Sequence, residues 1–116
     1  MENFELHAEM MTTANEMMIA CSELSKRAKE YATAHRDFKR ERAIAFLNSE
    51  KRTIAEREAE ADQLVDEFRF KNYLTEGLMD AERERVRSLR AKLSALQTMA
   101  NSNSEESRLT RTGPHI

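Results

Sequence analysis

The sequence predicts an all-α fold: an antiparallel two-helix hairpin, coiled-coil-like, assembling into a four-helix or larger bundle. Three observations predict it. First, Met10, Ala14, Met17, Cys21, Leu24, Ala28, Tyr31, His35, Phe38, Arg42 and Ala45 follow at alternating steps of four and three. A period of 3.5 keeps one stripe of a helix turned toward a partner helix. Second, the 116 residues include only two Gly and one Pro, with 34% charged and 40% apolar residues. Few helix breakers in such a composition describe long helices. Third, charge falls in alternating blocks that match only if the chain folds back on itself.

The first helix is expected from about residue 4 to 47. Glu2, Glu5 and Glu9 lie near its start and Lys39, Arg40 and Arg42 toward its end, each on the side the helix dipole favours. Asn48-Ser49-Glu50-Lys51-Arg52 interrupts the apolar period, so a turn is expected at about 48–53. Thr53-Ile54-Ala55-Glu56 then has the form of a capping box, with Ser49 as a rival cap. The second helix is expected from about 53 to 101. Ala61, Leu64, Val65, Phe68, Leu74, Leu78, Met79, Val86, Leu89, Leu93, Leu96 and Ala100 supply its apolar face. That face is clean after Val86 and blurred between Phe70 and Ala81. Gly77 lies in the blurred stretch, where it costs about 1 kcal/mol against Ala, and reads as a bend or a point of close approach. From Asn101 the pattern stops, and 102–116, with Gly113-Pro114, read as a flexible polar tail dispensable for folding.

The charge blocks set the orientation. Residues 1–23 hold five acids and no Lys or Arg, whereas 26–52 hold nine basic residues against four acidic. Residues 56–67 hold six acids against one Arg, and 69–92 seven basic residues against four acidic. A fold at about residue 50 brings position i near 100 − i, so each block faces its opposite. Single surface pairs are worth a few tenths of a kcal/mol, but four alternating blocks specify direction. The expected hairpin seam is Met10, Met17, Cys21, Leu24, Tyr31 and Phe38 against Phe68, Val86, Leu89, Leu93 and Leu96. Cys21, the single cysteine, is expected as a buried thiol on that seam.

Met11 and Met18 point about 100° from the seam, and with Phe70 and Leu74 they form the expected oligomer or partner interface. Plain oligomer core is the bland reading of the Met pairs and an adaptable protein-binding face the functional one. A homo-oligomer, with a dimer favoured, is expected because a lone hairpin exposes that stripe.

Site chemistry points away from an enzyme. His35 has no second His or Cys at i±3 or i±4, so a metal site is not expected, and no cofactor is implied. The acids Glu56, Glu58, Glu60 and Asp62 alternate and share no single helix face. His7 and His115 carry no pattern. No apolar run reaches the ~18 residues of a membrane span, nor does the acidic N-terminal stretch read as a signal segment. The basic run Arg83, Arg85, Arg87, Arg90 and Lys92 is the basis of an alternative reading: a replication or recombination accessory binding single-stranded DNA. Interspersed acids and the lack of stacking aromatics weaken it.

Phe46-Leu47-Asn48, then TIAEREAEAD from Thr53 and RVRSLRAKLSALQTMANS from Arg85, resemble short all-helical, helical-hairpin accessory proteins of tailed bacteriophages. Those proteins are often encoded among early genes, near replication and recombination functions. The likeness covers about residues 28–103. The family usually has a Gly in the turn where Glu50-Lys51-Arg52 stand here, and it has no established catalytic residues to carry over. The resemblance implies an accessory protein in the cytoplasm of a bacterial host cell, acting on another phage or host protein.

Overall fold

The computed structural model describes the backbone of residues 2–112 and the side chains of residues 2–109. The chain is all-helical, with three helices in the order α1 (Asn3–Asn48), α2 (Ile54–Leu64) and α3 (Asp66–Thr112). Among the described residues there is no strand, and no helix is long and apolar enough to cross a membrane. The residues group into two compact units, Glu23–Glu82 and Met1–Ser22 with Arg83–Ile116.

In the Glu23–Glu82 unit, α1 ends where Ser49 N–H turns back to the Phe46 carbonyl at 3.3 Å. The connector satisfies its own polar groups. Ser49 Oγ accepts from Lys51 N–H at 3.2 Å and donates to Glu60 at 3.1 Å, while Arg57 Nε donates to the Lys51 carbonyl at 2.8 Å. Ser49 therefore closes the turn, and the cap of α2 is Thr53, whose hydroxyl accepts from Glu56 N–H at 3.2 Å. Beyond the turn the chain reverses: Arg42 meets Asp62 and, further from the turn, His35 meets Asn72. A fold at residue 50 would have set His35 opposite residue 65. The non-helical connector moves the reversal past residue 50, so the partner lies further along.

The second helix expected from the sequence is two helices. Val65, at φ −105° and ψ 20°, leaves α-helical geometry for one residue. The break is bridged rather than open. Val65 N–H still reaches the Ala61 carbonyl at 3.1 Å, and Arg69 N–H reaches the Val65 carbonyl at 3.0 Å. The Arg69 guanidinium donates to the Asp62 carbonyl in the last turn of α2, where carbonyls lack helical donors, and pairs with Asp66 at 3.8 Å. No Gly or Pro marks this break, which is why periodicity alone passes over it.

Burial corrects the register on α1. Leu6, Thr13, Ala20 and Ala34 are buried at intervals that are multiples of seven, with Arg27 half-buried in the same row. Met10, Met17, Leu24, Tyr31 and Phe38 form the adjoining half-buried row. The row containing Cys21 lies on the other flank, and Cys21 itself is exposed. In the buried row, one position earlier, Thr13, Ala20 and Ala34 are small enough for the neighbouring helix to approach closely.

Along α2 and α3 the buried positions also step by four and three: Ala61, Val65, then Asn72, Thr75, Met79, and later Val86 and Leu96. Leu89 and Leu93 are half-buried between the last two. The middle of this row is polar. Asn72 Oδ1 lies 3.3 Å from His35 Nδ1, and because an amide oxygen only accepts, the bond requires the tautomer with the proton on Nδ1. Thr75 satisfies its hydroxyl on its own helix, donating to the Lys71 and Asn72 carbonyls at 2.8 and 3.1 Å. These buried polar residues explain the blurred stretch in the sequence.

The unit formed by Met1–Ser22 and Arg83–Ile116 is also antiparallel, with Glu9 on Lys92 at 2.7 Å and, nearer the start of α1, Asn3 on Asn103 at 3.0 Å. The second contact corrects the boundary expected at Asn101. Helix α3 runs through Thr112, and Asn103 bonds to the first turn of α1. Residues 113–116, with Gly113, Pro114 and His115, lie outside the described residues.

Thr13 is fully buried in this unit, and its hydroxyl has no hydrogen-bond partner. An unsatisfied buried hydroxyl costs about 1–3 kcal/mol. The near-isosteric Thr13→Val removes that cost and should stabilise the chain by about 1 kcal/mol, a rise in Tm of several degrees. A lower Tm in a thermal melt would show that the hydroxyl is bonded.

Candidate interaction surfaces

Both units leave apolar residues uncovered on one side of a helix. On α1, Phe4, Met11 and Met18 are 84%, 55% and 72% exposed. They recur every seven residues and, at 100° per residue, lie about 160° round the helix from the buried row Leu6, Thr13 and Ala20, with exposed Ile19 widening the stripe. Met10 and Met17 turn partly inward, so each Met pair divides its two members between interior and surface.

On α3, in the Glu23–Glu82 unit, Phe70, Tyr73 and Leu74 are 64%, 66% and 50% exposed, and Leu78 follows one turn later, 37% exposed. With Gly77 and Ala81 they occupy i, i+3, i+4, i+7, i+8 and i+11, one full helical face. At 100° per residue this face is opposite the buried row Asn72–Thr75–Met79. A Cβ placed on Gly77 would meet nothing within 4 Å, so the glycine stands in open space. Phe68, 38% exposed, lies about 160° round the helix from Phe70, in line with the buried row, and with Glu67, Phe70, Lys71 and Leu74 lines a shallow groove.

The sequence singled out Met11, Met18, Phe70 and Leu74, read Gly77 as a bend or a point of close approach and Leu78 as part of the inward apolar face, and passed over Tyr73. The signal was present as a second stripe. Residues 70–81 carry two helical periods, an apolar exposed one and a largely polar buried one. Superposed, they read as a blur.

Charged side chains flank the buried rows. Arg42 Nε donates to Asp62 at 2.8 Å; that bond, with the Arg42 charge behind it, holds the Asp62 carboxyl below its usual range and raises the Arg42 guanidinium. In the other unit, the bond that Lys92 donates to Glu9 raises the Lys92 ammonium, with Glu16 adding to it. Arg87 pairs with Glu84 on its own helix. The basic run expected as a nucleic-acid track divides between two faces. At 100° per residue, Arg83, Arg87 and Arg90 lie on one side of the Val86–Leu93 row, and Arg85 and Lys92 on the other. One phosphate backbone cannot run along both sides, and Lys92 is committed to an acid. Among the described residues, no three His, Cys, Asp or Glu side chains are placed to hold a metal ion.

The Asp62 shift has a pH consequence. A carboxyl held low in the folded chain contributes stability that is present above its unfolded value. That stability is lost as pH falls through the folded value, below the ordinary aspartate range. Asp62→Asn should therefore flatten the acid limb of a Tm-against-pH curve and leave its shape near neutrality unchanged. An acid limb as steep as the wild type's would mean the pair does not contribute. In comparisons with known proteins, no family, no curated protein and no solved structure matches this chain.

Proposed function

We propose that this chain is a non-enzymatic interaction protein, an antiparallel helical hairpin that docks onto other helices through its outer apolar faces. The observation that supports this most directly is the α3 stripe of Phe70, Tyr73, Leu74 and Leu78, exposed on the side away from the buried row. Outer positions of a paired helix are normally polar and solvated. Phe and Tyr side chains of roughly 200 Å², about two-thirds exposed, would each gain roughly 3 kcal/mol on full burial, at ~25 cal/mol per Å². A contiguous stripe of that kind marks a protein contact. The face of Phe4, Met11 and Met18 supports the same reading with a more adaptable surface, because Met side chains repack around different partners.

The hairpin gives both faces a common scaffold, and pairing of such scaffolds makes a four-helix assembly. The contacts Arg42–Asp62 and His35–Asn72 in one unit, and Glu9–Lys92 and Asn3–Asn103 in the other, support antiparallel arms. The resemblance to tailed-phage accessory proteins adds a setting: the cytoplasm of an infected bacterium, with a phage or host protein as target.

Spin labels at Asn15 and Glu84 test the hairpin. The reading expects a short distance, and a separation of the order of the length of α1 rules it out. The docking faces are tested by two charged pairs, Met11→Glu with Met18→Glu, and Phe70→Glu with Leu74→Glu. All four positions are exposed, so helical circular dichroism and the melting midpoint at high dilution should stay near the wild type's, while at least one pair abolishes protein association measured by light scattering or capture. Wild-type association in both variants would refute the reading.

A further inference from the structure

The outer face of α3 is complementary to itself. Phe70, Leu74, Gly77 and Ala81 are separated by steps of four, three and four, a spacing that reads the same in both directions about a point between Thr75 and Glu76. The side chains do not read the same in both directions: two large residues come first and two small ones follow. A second helix of identical sequence, laid antiparallel, sets its small pair on the first helix's large pair. We propose that this face takes a second copy of this chain, the two α3 helices packing antiparallel about a two-fold axis beside Thr75 and Glu76. This rests on the docking function above and names the partner for one of its faces.

In an antiparallel helix pair, the a position of one helix shares a layer with the d position of the other. The four-three-four spacing supplies d, a, d and a. The layers are then Phe70 on Ala81 of the second copy, Leu74 on its Gly77, and the same two contacts reversed. Each layer matches a large side chain to a small one, so the helices can approach closely without a void. Along the edges, the exposed Tyr73 comes beside Asp80 of the second copy, whose carboxylate can accept from the phenol. The alkyl stem of Lys71 lies along Leu78.

Gly77 is the independent argument. Within its own chain nothing requires a glycine: it is helical, without positive φ, and a Cβ there would meet no atom within 4 Å. Glycine inside a helix costs about 1 kcal/mol against Ala. A Leu74 from a second copy fills the space that a larger side chain at 77 would occupy. The area is consistent with a reversible pair. The exposed parts of Phe70, Tyr73, Leu74 and Leu78 come to roughly 400 Å² per chain, and two copies with their flanks approach the ~1,200 Å² lower bound of specific interfaces.

The test is sedimentation equilibrium on the full chain carrying Cys21→Ser, which removes the exposed thiol as a source of cross-linking. Over about two decades of micromolar concentration, the parent should show a reversible monomer–dimer equilibrium. Gly77→Leu should weaken it at least tenfold while its melting midpoint at low concentration stays level or rises. Phe70→Ser should weaken association to a similar degree. Nitroxides at Glu67 of the two copies should lie about 25 Å apart along the helix direction in the antiparallel dimer, and side by side in a parallel one. A monomer throughout the range, a dimer indifferent to Gly77→Leu, or adjacent Glu67 labels would each overturn the proposal. If the dimer instead yields to Met11→Glu with Met18→Glu, the copies meet through α1, and the docking function stands without this inference. The same separation holds if the chain is monomeric and the α3 face captures a different protein.

Discussion

The structure depends on one constraint: within each unit, a helix has a single narrow row of side chains with which to meet its antiparallel neighbour. That row is modest in apolar content. Three of its buried apolar residues are alanines, Ala20, Ala34 and Ala61, which bring helices close but remove little surface from water. Leu6, Val65, Met79, Val86 and Leu96 supply the larger contacts. With so little burial to select one pairing, polar contacts do the selecting. The bond from His35 to Asn72 is the chief of them. A slip of the helices by one turn would leave Asn72 buried without a partner, and a polar residue on a coiled-coil seam is a known means of fixing register at some cost in stability.

The ion pairs at the margins extend the same selection. Arg42–Asp62 and Glu9–Lys92 each join different helices at a wet surface, where one pair contributes little to stability. Their value is directional. The acidic start of α1 opposes a basic part of α3, and the basic end of α1 opposes acidic α2. A parallel arrangement would set like charges together. The basic residues of α3 thus serve helix pairing, and their division between two sides of the buried row argues against a phosphate track.

Selection by polar contacts leaves apolar side chains for the outside. Phe70, Tyr73 and Leu74 are larger than most of the residues buried behind them, yet they face away. A helix that buries Asn72 and Thr75 while exposing Phe70 and Leu74 keeps its larger apolar side chains out of the packing of its own unit. The division of the Met pairs on α1, with Met10 and Met17 inward and Met11 and Met18 outward, follows the same logic with softer side chains.

By itself the sequence determined the helical class, the turn near residue 50, a capping box at Thr53–Glu56 with Ser49 still its rival, and the sense of the charge blocks. Each follows from local causes: the absence of Gly and Pro, a hydroxyl three residues before an acid, and a period of 3.5. Four matters were decided only by tertiary structure. The interior row on α1 is that of Thr13, Ala20 and Ala34 and not that of Cys21, because the two rows are about 100° apart on one helix and only the packed neighbour selects between them. Helix α3 continues to Thr112, with Asn103 bonded to Asn3 a hundred positions away, a contact no local window contains. The break at Val65 and the two opposed periods across Phe70–Ala81 complete the set. A residue's period says which neighbours share its face, but only the packed neighbour says whether that face looks inward or out.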